Sequence, residues 1–393
     1  MQEASDRIPT GAPTRLPGLD ALRGLAVGLV LLNHAAPQVF SSAGVVGVTI
    51  FFALSGYLIT GVLVRDLDAR GRIRFGRFFG HRALRLLPPL VLMLIGYTVV
   101  EGVFDLMGER DLVAESWLAA LTYTINIPGL PHGSESLYHF WTLATEEQFY
   151  LVWPLVLTLA WRRGVLRLAV ATAAVLVLVG CTVSMLLVAP DIARVYALPT
   201  SWGTTLLVGA AGYLGRDALR DRLPATAGAR RTVQVGLVLA LGVAALGGGG
   251  FAQHPWAYLL GAPAAAAATV VLISYAGRWD RLPTRLLRPA VVLGTISYAA
   301  YLWNAAIARW LGNPDDLTGA VLGVVLTLAA ASASWWLVER PAARVRRWLD
   351  RRSRVRDRAL LLGGADEPVT GDRAAVGAGG AVDAVGVIRP SDR

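Results

Sequence analysis

Lysine does not occur in this 393-residue chain: all 37 basic residues are arginine. Charge of either sign is scarce, at 16% of residues where a soluble domain carries roughly 25%. A single cysteine, Cys181, excludes an internal disulfide and any multi-cysteine metal site. There is no G-x-x-x-x-G-K-[ST], no G-x-G-x-x-G in a strand–helix setting, no H-E-x-x-H and no G-x-S-x-G elbow. These absences argue against nucleotide hydrolysis and metal chemistry, and no metal is expected.

Apolar residues are abundant instead, at 55% with a mean hydropathy of +0.52. Such a composition does not wrap around one soluble core. It reads as an all-α integral membrane protein, a polytopic bundle. Apolar windows fall at roughly 19–38, 44–64, 86–104, 138–160, 165–189, 198–214, 232–252, 256–276, 288–309 and 318–338. A weaker run, 112–126, contains Glu115 and Asn126.

Arginine placement orients the spans. With residues 1–18 in the cytoplasm, the clusters at 65–85, 162–167, 216–231, 278–288 and beyond Arg340 all fall inside if 112–126 does not cross. The short opposite loops at 39–43, 190–197, 253–255 and 310–317 hold one arginine, Arg194, beside Asp191 and the acidic pair Asp315 and Asp316. The rule therefore predicts about ten transmembrane helices with both termini cytoplasmic. Region 105–137 becomes an outer loop carrying a short amphipathic or re-entrant piece. The net charge of +10 is assigned to topology, so no nucleic-acid partner is expected. The predicted organisation is an N-terminal segment, 1–18, with no cleavable leader, a membrane domain, 19–345, and a basic, disordered tail, 346–393.

Four clusters break the apolar background. In "LDALRGLAVGLVLLNH", Asp20 and Arg23 are three apart and can pair. His34 lies about three turns further along nearly the same face. A histidine there is either packed and hydrogen-bonded, or a general base. In "GVVGVTIFFALSGYLIT", glycines allow close helix approach, and Ser55, Tyr57 and Thr60 offer hydrogen bonds across helices.

In "GRFFGHRALRLLPPL", Arg82 and Arg85 share a face at a membrane mouth. They either snorkel to lipid phosphate or dock a phosphorylated ligand. In "HFWTLATEEQFYLVWPL", Glu146 and Tyr150 are four apart, as are Trp141 and Thr145. An intramembrane carboxylate is a functional candidate, or the structural partner of Arg23 or another buried arginine.

Together with "SYAAYLWN" and "ERP", these blocks in this order resemble the acyltransferase 3 family over roughly residues 16–345. The resemblance implies a bacterial inner-membrane, multi-pass O-acyltransferase. Its donor would be acyl-CoA, with acetyl-CoA the default, used as a substrate and not held as a tight cofactor. Its partners would be the lipid bilayer and a hydroxyl-bearing glycan, cell-envelope polymer or glycosylated small molecule.

By the same resemblance, His34 is the catalytic base and Glu146 its catalytic companion, orienting it or stabilising its charged form. Arg82 and Arg85 hold the CoA phosphates. Asp20, Arg23, Ser55, Tyr57, Trp141, Thr142, Tyr150 and Asn304 support them. Four positions depart from the family pattern: Thr49 replaces an acid, Thr142 a serine, which keeps the hydroxyl, Thr145 a valine and Asn304 a histidine. An asparagine cannot relay protons, which concentrates the chemistry on His34. The rival readings are a multi-span transporter without acyl transfer, or a non-catalytic membrane sensor.

Overall fold

The computed structural model describes residues 16–224, 226–247, 253–279, 282–313, 316–349 and 351. The readings placed on 1–15, on 352–393 and on Asp315 lie outside the described residues. Residues up to Arg344 form one compact unit. Among the described residues it is built of helices alone.

The principal helices are α1 (Pro17–Ala35), α2 (Ala43–Arg70), α3 (Phe75–Tyr97), α4 (Val113–Thr122), α5 (Trp141–Arg162), α6 (Leu166–Val188) and α7 (Pro199–Leu214). They continue as α8 (Arg216–Arg222), α9 (Ala227–Ala245), α10 (Ala262–Ala276), α11 (Arg288–Thr295), α12 (Ser297–Trp310) and α13 (Leu317–Ser334). Proline opens α1 and α7, where its missing N–H has no helical partner to lose.

Each of the ten apolar windows coincides with a helix or a helix pair. Five described helices are long and apolar enough to cross a membrane: Ala43–Arg70, Phe75–Val103, Leu166–Val188, Ala257–Ala276 and Leu317–Leu349. A sixth is possible if the pair Arg285–Thr295 and Ser297–Trp310, bent by 71°, is one broken span. The predicted single span over 288–309 is thus a kinked pair with its break at Ile296. The helices α1 and α5 fall outside the five; they carry Asp20, Arg23, Asn33 and His34, and Glu146, Glu147 and Gln148. With only 16 residues, α7 is short. The weak run at 112–126 becomes α4, ten residues long and about 15 Å, too short to span a bilayer.

Burial separates centre from periphery. The apolar window of α2 is 67% buried, and that of α6 only 17%. The helices α1, α7 and α10 pack around α2, and α11 and α12 cover α1 from the other side. Close approach explains two glycines. A methyl group on Gly47 would stand 2.4 Å from the Ala26 carbonyl oxygen of α1, and one on Gly56 would stand 1.9 Å from that of Leu206 in α7. Small residues at such crossings let helices associate in an apolar solvent.

Candidate active site

The polar residues of the four sequence clusters form a stack through the bundle. At one end, where the loops joining α1 to α2 and α6 to α7 lie, is a cavity of about 250 Å³. His34, His139 and Asn304 line it, with Val48, Trp141 and Tyr301 among its apolar and aromatic walls. Glu135, Tyr138 and Tyr196 complete it. Burial pushes the Tyr196 phenol up to about 12, so it stays a neutral hydroxyl at physiological pH.

His34 occupies the last turn of α1, and its Nδ1 lies 3.0 Å from the Val30 carbonyl oxygen one turn back. A carbonyl only accepts, so Nδ1 carries the hydrogen and Nε2 keeps its lone pair. The side chain of Asn304, on α12, is within hydrogen-bonding reach of the ring. Asn304 is 3% exposed, and its Oδ1 has no hydrogen-bond partner. A second histidine, His139, meets the same cavity from the turn before α5. Its Nε2 lies 3.1 Å from the Leu302 carbonyl oxygen, and its buried Nδ1 has no partner.

The next layer is aromatic. Tyr301 donates to the His139 carbonyl at 2.9 Å, and its hydroxyl lies 2.6 Å from that of Thr142. Phe51 packs against Tyr301 and Phe52 against Trp141, with ring centroids 6.4 and 6.3 Å apart. Thr142 thus holds the end of α5 to α12, a bond any hydroxyl at that position can make.

About one turn beyond Thr142 along α5, some 6 Å by helical rise, Glu146 accepts hydrogen bonds from Ser55 of α2 and from Tyr150. The pairing of Glu146 with Tyr150, four residues on, is the one the spacing predicts. Glu146 contacts neither Arg23 nor the cavity. Arg23 pairs with Asp20 at 3.0 Å, also as the spacing predicts. The orienting contact on His34 comes from the Val30 carbonyl and not from Glu146, whose place on α5 puts it below the aromatic layer.

Glu147 faces another way, because adjacent helical residues diverge by about 100°. It accepts from Arg82 Nη2 of α3, and the Arg82 guanidinium carbon stands 3.4 Å from the Tyr150 ring centroid. Arg85, exposed on the next turn of α3, adds a second positive field at Glu147. The stack therefore runs from two histidines, through aromatics, to the half-buried Glu146 carboxylate and then to an arginine–carboxylate pair.

Two of the remaining sequence candidates are packing groups. Tyr57 lies edge-on to Tyr213 at 5.4 Å, and Trp141 also packs against Trp202 at 5.7 Å. Thr60 accepts from Trp153 Nε1 at 2.9 Å, as expected of a hydroxyl between helices. Thr49 is buried with an unpartnered hydroxyl. Sequence reading passed over His139 and Glu147. Each stood inside a quoted block, beside Trp141 and Glu146, but nothing in the spacing said which way it faced. No group of three or more histidine, cysteine, aspartate or glutamate side chains among the described residues could hold a metal ion.

Comparison with known proteins agrees with the order of these blocks. A family model described as an acyltransferase domain, acyltransferase 3, matches residues 16–339. O-acetyltransferase OatA of Staphylococcus aureus (strain NCTC 8325 / PS 47) is 28% identical over 358 residues, covering 84% of this chain and 57% of the relative. Putative peptidoglycan O-acetyltransferase YrhL of Bacillus subtilis (strain 168) is 32% identical over 354 residues, covering 83% of this chain and 54% of the relative. This chain therefore spans little more than half the length of these relatives. No solved structure matches it. With the family model covering nearly all of its helical unit, the chain belongs to the acyltransferase 3 family, and five of its described helices are long and apolar enough to cross a membrane.

Proposed function

We propose that this protein transfers an acetyl group from acetyl-CoA to a hydroxyl of a carbohydrate, in a bundle of about ten transmembrane helices in the bacterial inner membrane with both termini cytoplasmic. The Arg82–Arg85 end then faces the cytoplasm, where acyl-CoA resides, and the His34 cavity lies toward the opposite face. The names of the relatives support acetyl as the acyl group and a cell-envelope glycan as the acceptor class.

The observation that carries the reading is the setting of His34. One ring nitrogen is fixed by a backbone carbonyl, leaving the other basic, beside Asn304 at the wall of a cavity of about 250 Å³. In the mechanism we infer, Nε2 takes the proton of the acceptor hydroxyl as its oxygen attacks the thioester carbonyl. The carbon–sulfur bond then breaks, and CoA leaves as thiolate, to which the imidazolium returns the proton. Asn304 stands beside the ring, where its unpartnered Oδ1 can accept from the imidazolium Nε2–H once that forms. Glu146, tied to Ser55 and Tyr150, fixes α5 against α2 along the route that the donor's arm would follow. Holding thioester and hydroxyl together supplies a large part of the rate.

The test is release of free CoA thiol by the purified protein in lipid nanodiscs, given acetyl-CoA with and without glycan fragments. The reading predicts release that depends on the acceptor, with the acetyl group recovered as an ester. Acetyl-CoA left intact with every glycan supplied would contradict it.

A further inference from the structure

His34 and Asn304 line a second space besides the cavity of about 250 Å³. It is a crevice of about 10 Å³ where α13 closes against α1 and α12. Those two side chains are its polar corner. The rest of its wall is apolar, with Leu31 of α1, Ala308 of α12, Leu311 just beyond α12, and Gly323 and Val324 of α13. The space holds one group the size of a water molecule or a methyl. A sugar ring is far too large for it, and its hydroxyls would go unpaired against such walls. The corner itself has unused capacity, since Asn304 is 3% exposed and its Oδ1 has no partner. An apolar slot with one polar corner suits a small group that is apolar at one end and polar at the other. An acetyl thioester is such a group: a methyl joined directly to the carbonyl that is attacked.

We propose, resting on the acyl-CoA reading above, that this crevice seats the methyl end of the donor's acyl group and limits that group to acetyl. The thioester carbonyl carbon then lies beside His34, and the acceptor hydroxyl approaches it from the larger cavity. Leu311, Gly323 and Val324 are specificity-determining residues, which set acyl length and do no chemistry. A methyl group added at Gly323 would meet Leu311 Cδ1 at 3.6 Å, an ordinary contact. Gly323→Ala therefore fills the crevice without straining α13, and alanine is the better helix former. Leu311→Ala and Val324→Ala do the reverse and deepen it.

The experiment measures Kd for CoA, acetyl-CoA and propionyl-CoA on the full chain in nanodiscs, without acceptor. One methylene too many in a fitted apolar pocket costs roughly 10–200-fold, so the wild type should bind acetyl-CoA at least about tenfold more tightly than propionyl-CoA. Leu311→Ala and Val324→Ala should each bring that ratio to within about threefold of one. Gly323→Ala should weaken acetyl-CoA roughly tenfold, toward the affinity of CoA itself. CoA carries no acyl group, so its Kd should be the same in wild type and in all three variants. That separates a lost acyl seat from a damaged fold.

A wild type that binds propionyl-CoA as tightly as acetyl-CoA would put the acyl group in the open cavity and overturn the proposal. A ratio that survives both Leu311→Ala and Val324→Ala would overturn it too, as would acetyl-CoA binding untouched by Gly323→Ala. A wild type that binds neither CoA nor either acyl-CoA would overturn the acyl-CoA reading itself.

Discussion

The two ends of the polar stack solve opposite problems. The His34 cavity is roomy, and several of its polar groups keep unused capacity: Asn304 Oδ1 and His139 Nδ1 have no partner. The Arg82 layer is filled and charged, with ion pair and stacked ring meeting in one contact set. An open cavity with unpartnered polar atoms suits a substrate that brings its own hydroxyls and leaves again. A closed ion pair suits a fixed brace, since an unpaired charge at that depth is expensive. The comparison teaches that a charged residue inside a bundle marks function only when its partners leave it capacity to act.

Ways to break this contrast can be ranked by size. Arg82→Ala should do most damage to stability, because it leaves Glu147 largely buried and unpaired. The expected loss is about 3–5 kcal/mol, read as a lower melting temperature in detergent, with most of it restored by adding Glu147→Gln. Next comes Asn304→Ala, which removes the amide beside His34. It should slow turnover by roughly fivefold to tenfold, as for one hydrogen bond of about 1–1.5 kcal/mol, while the melting temperature changes little. Thr142→Val should follow. It deletes the hydroxyl contact with Tyr301 and should cost about 1 kcal/mol of stability, measurable in the same melting assay. Tyr57→Phe should be smallest, within about 0.5 kcal/mol, because the ring packing on Tyr213 is what that residue supplies.

Much of this was legible in the sequence, for reasons that can be named. Pairs on one helix follow from the helical period, so Asp20 with Arg23 and Glu146 with Tyr150 could be read directly. That the run 112–126 does not cross was expected from the arginine pattern, and α4 is indeed only ten residues long. Contacts between helices were not legible. His34 and Asn304 are 270 positions apart, and only the packing of α1 on α12 brings them together. Of two neighbouring carboxylates, the one facing α2 and the one facing α3 cannot be told apart without the crossing geometry. The polar residues that make α1 and α5 chemically interesting also lower their hydropathy, which is why those two windows are not among the five clear spans.

The central claim is that His34 is the base. The most direct test preloads the protein with acetyl-CoA, adds glycan acceptor, and follows CoA release in a single turnover by wild type and by His34→Ala. The account predicts unchanged acetyl-CoA binding and a release rate lower by ~10²–10⁴-fold. Release at close to the wild-type rate, with the donor bound equally well, would contradict it.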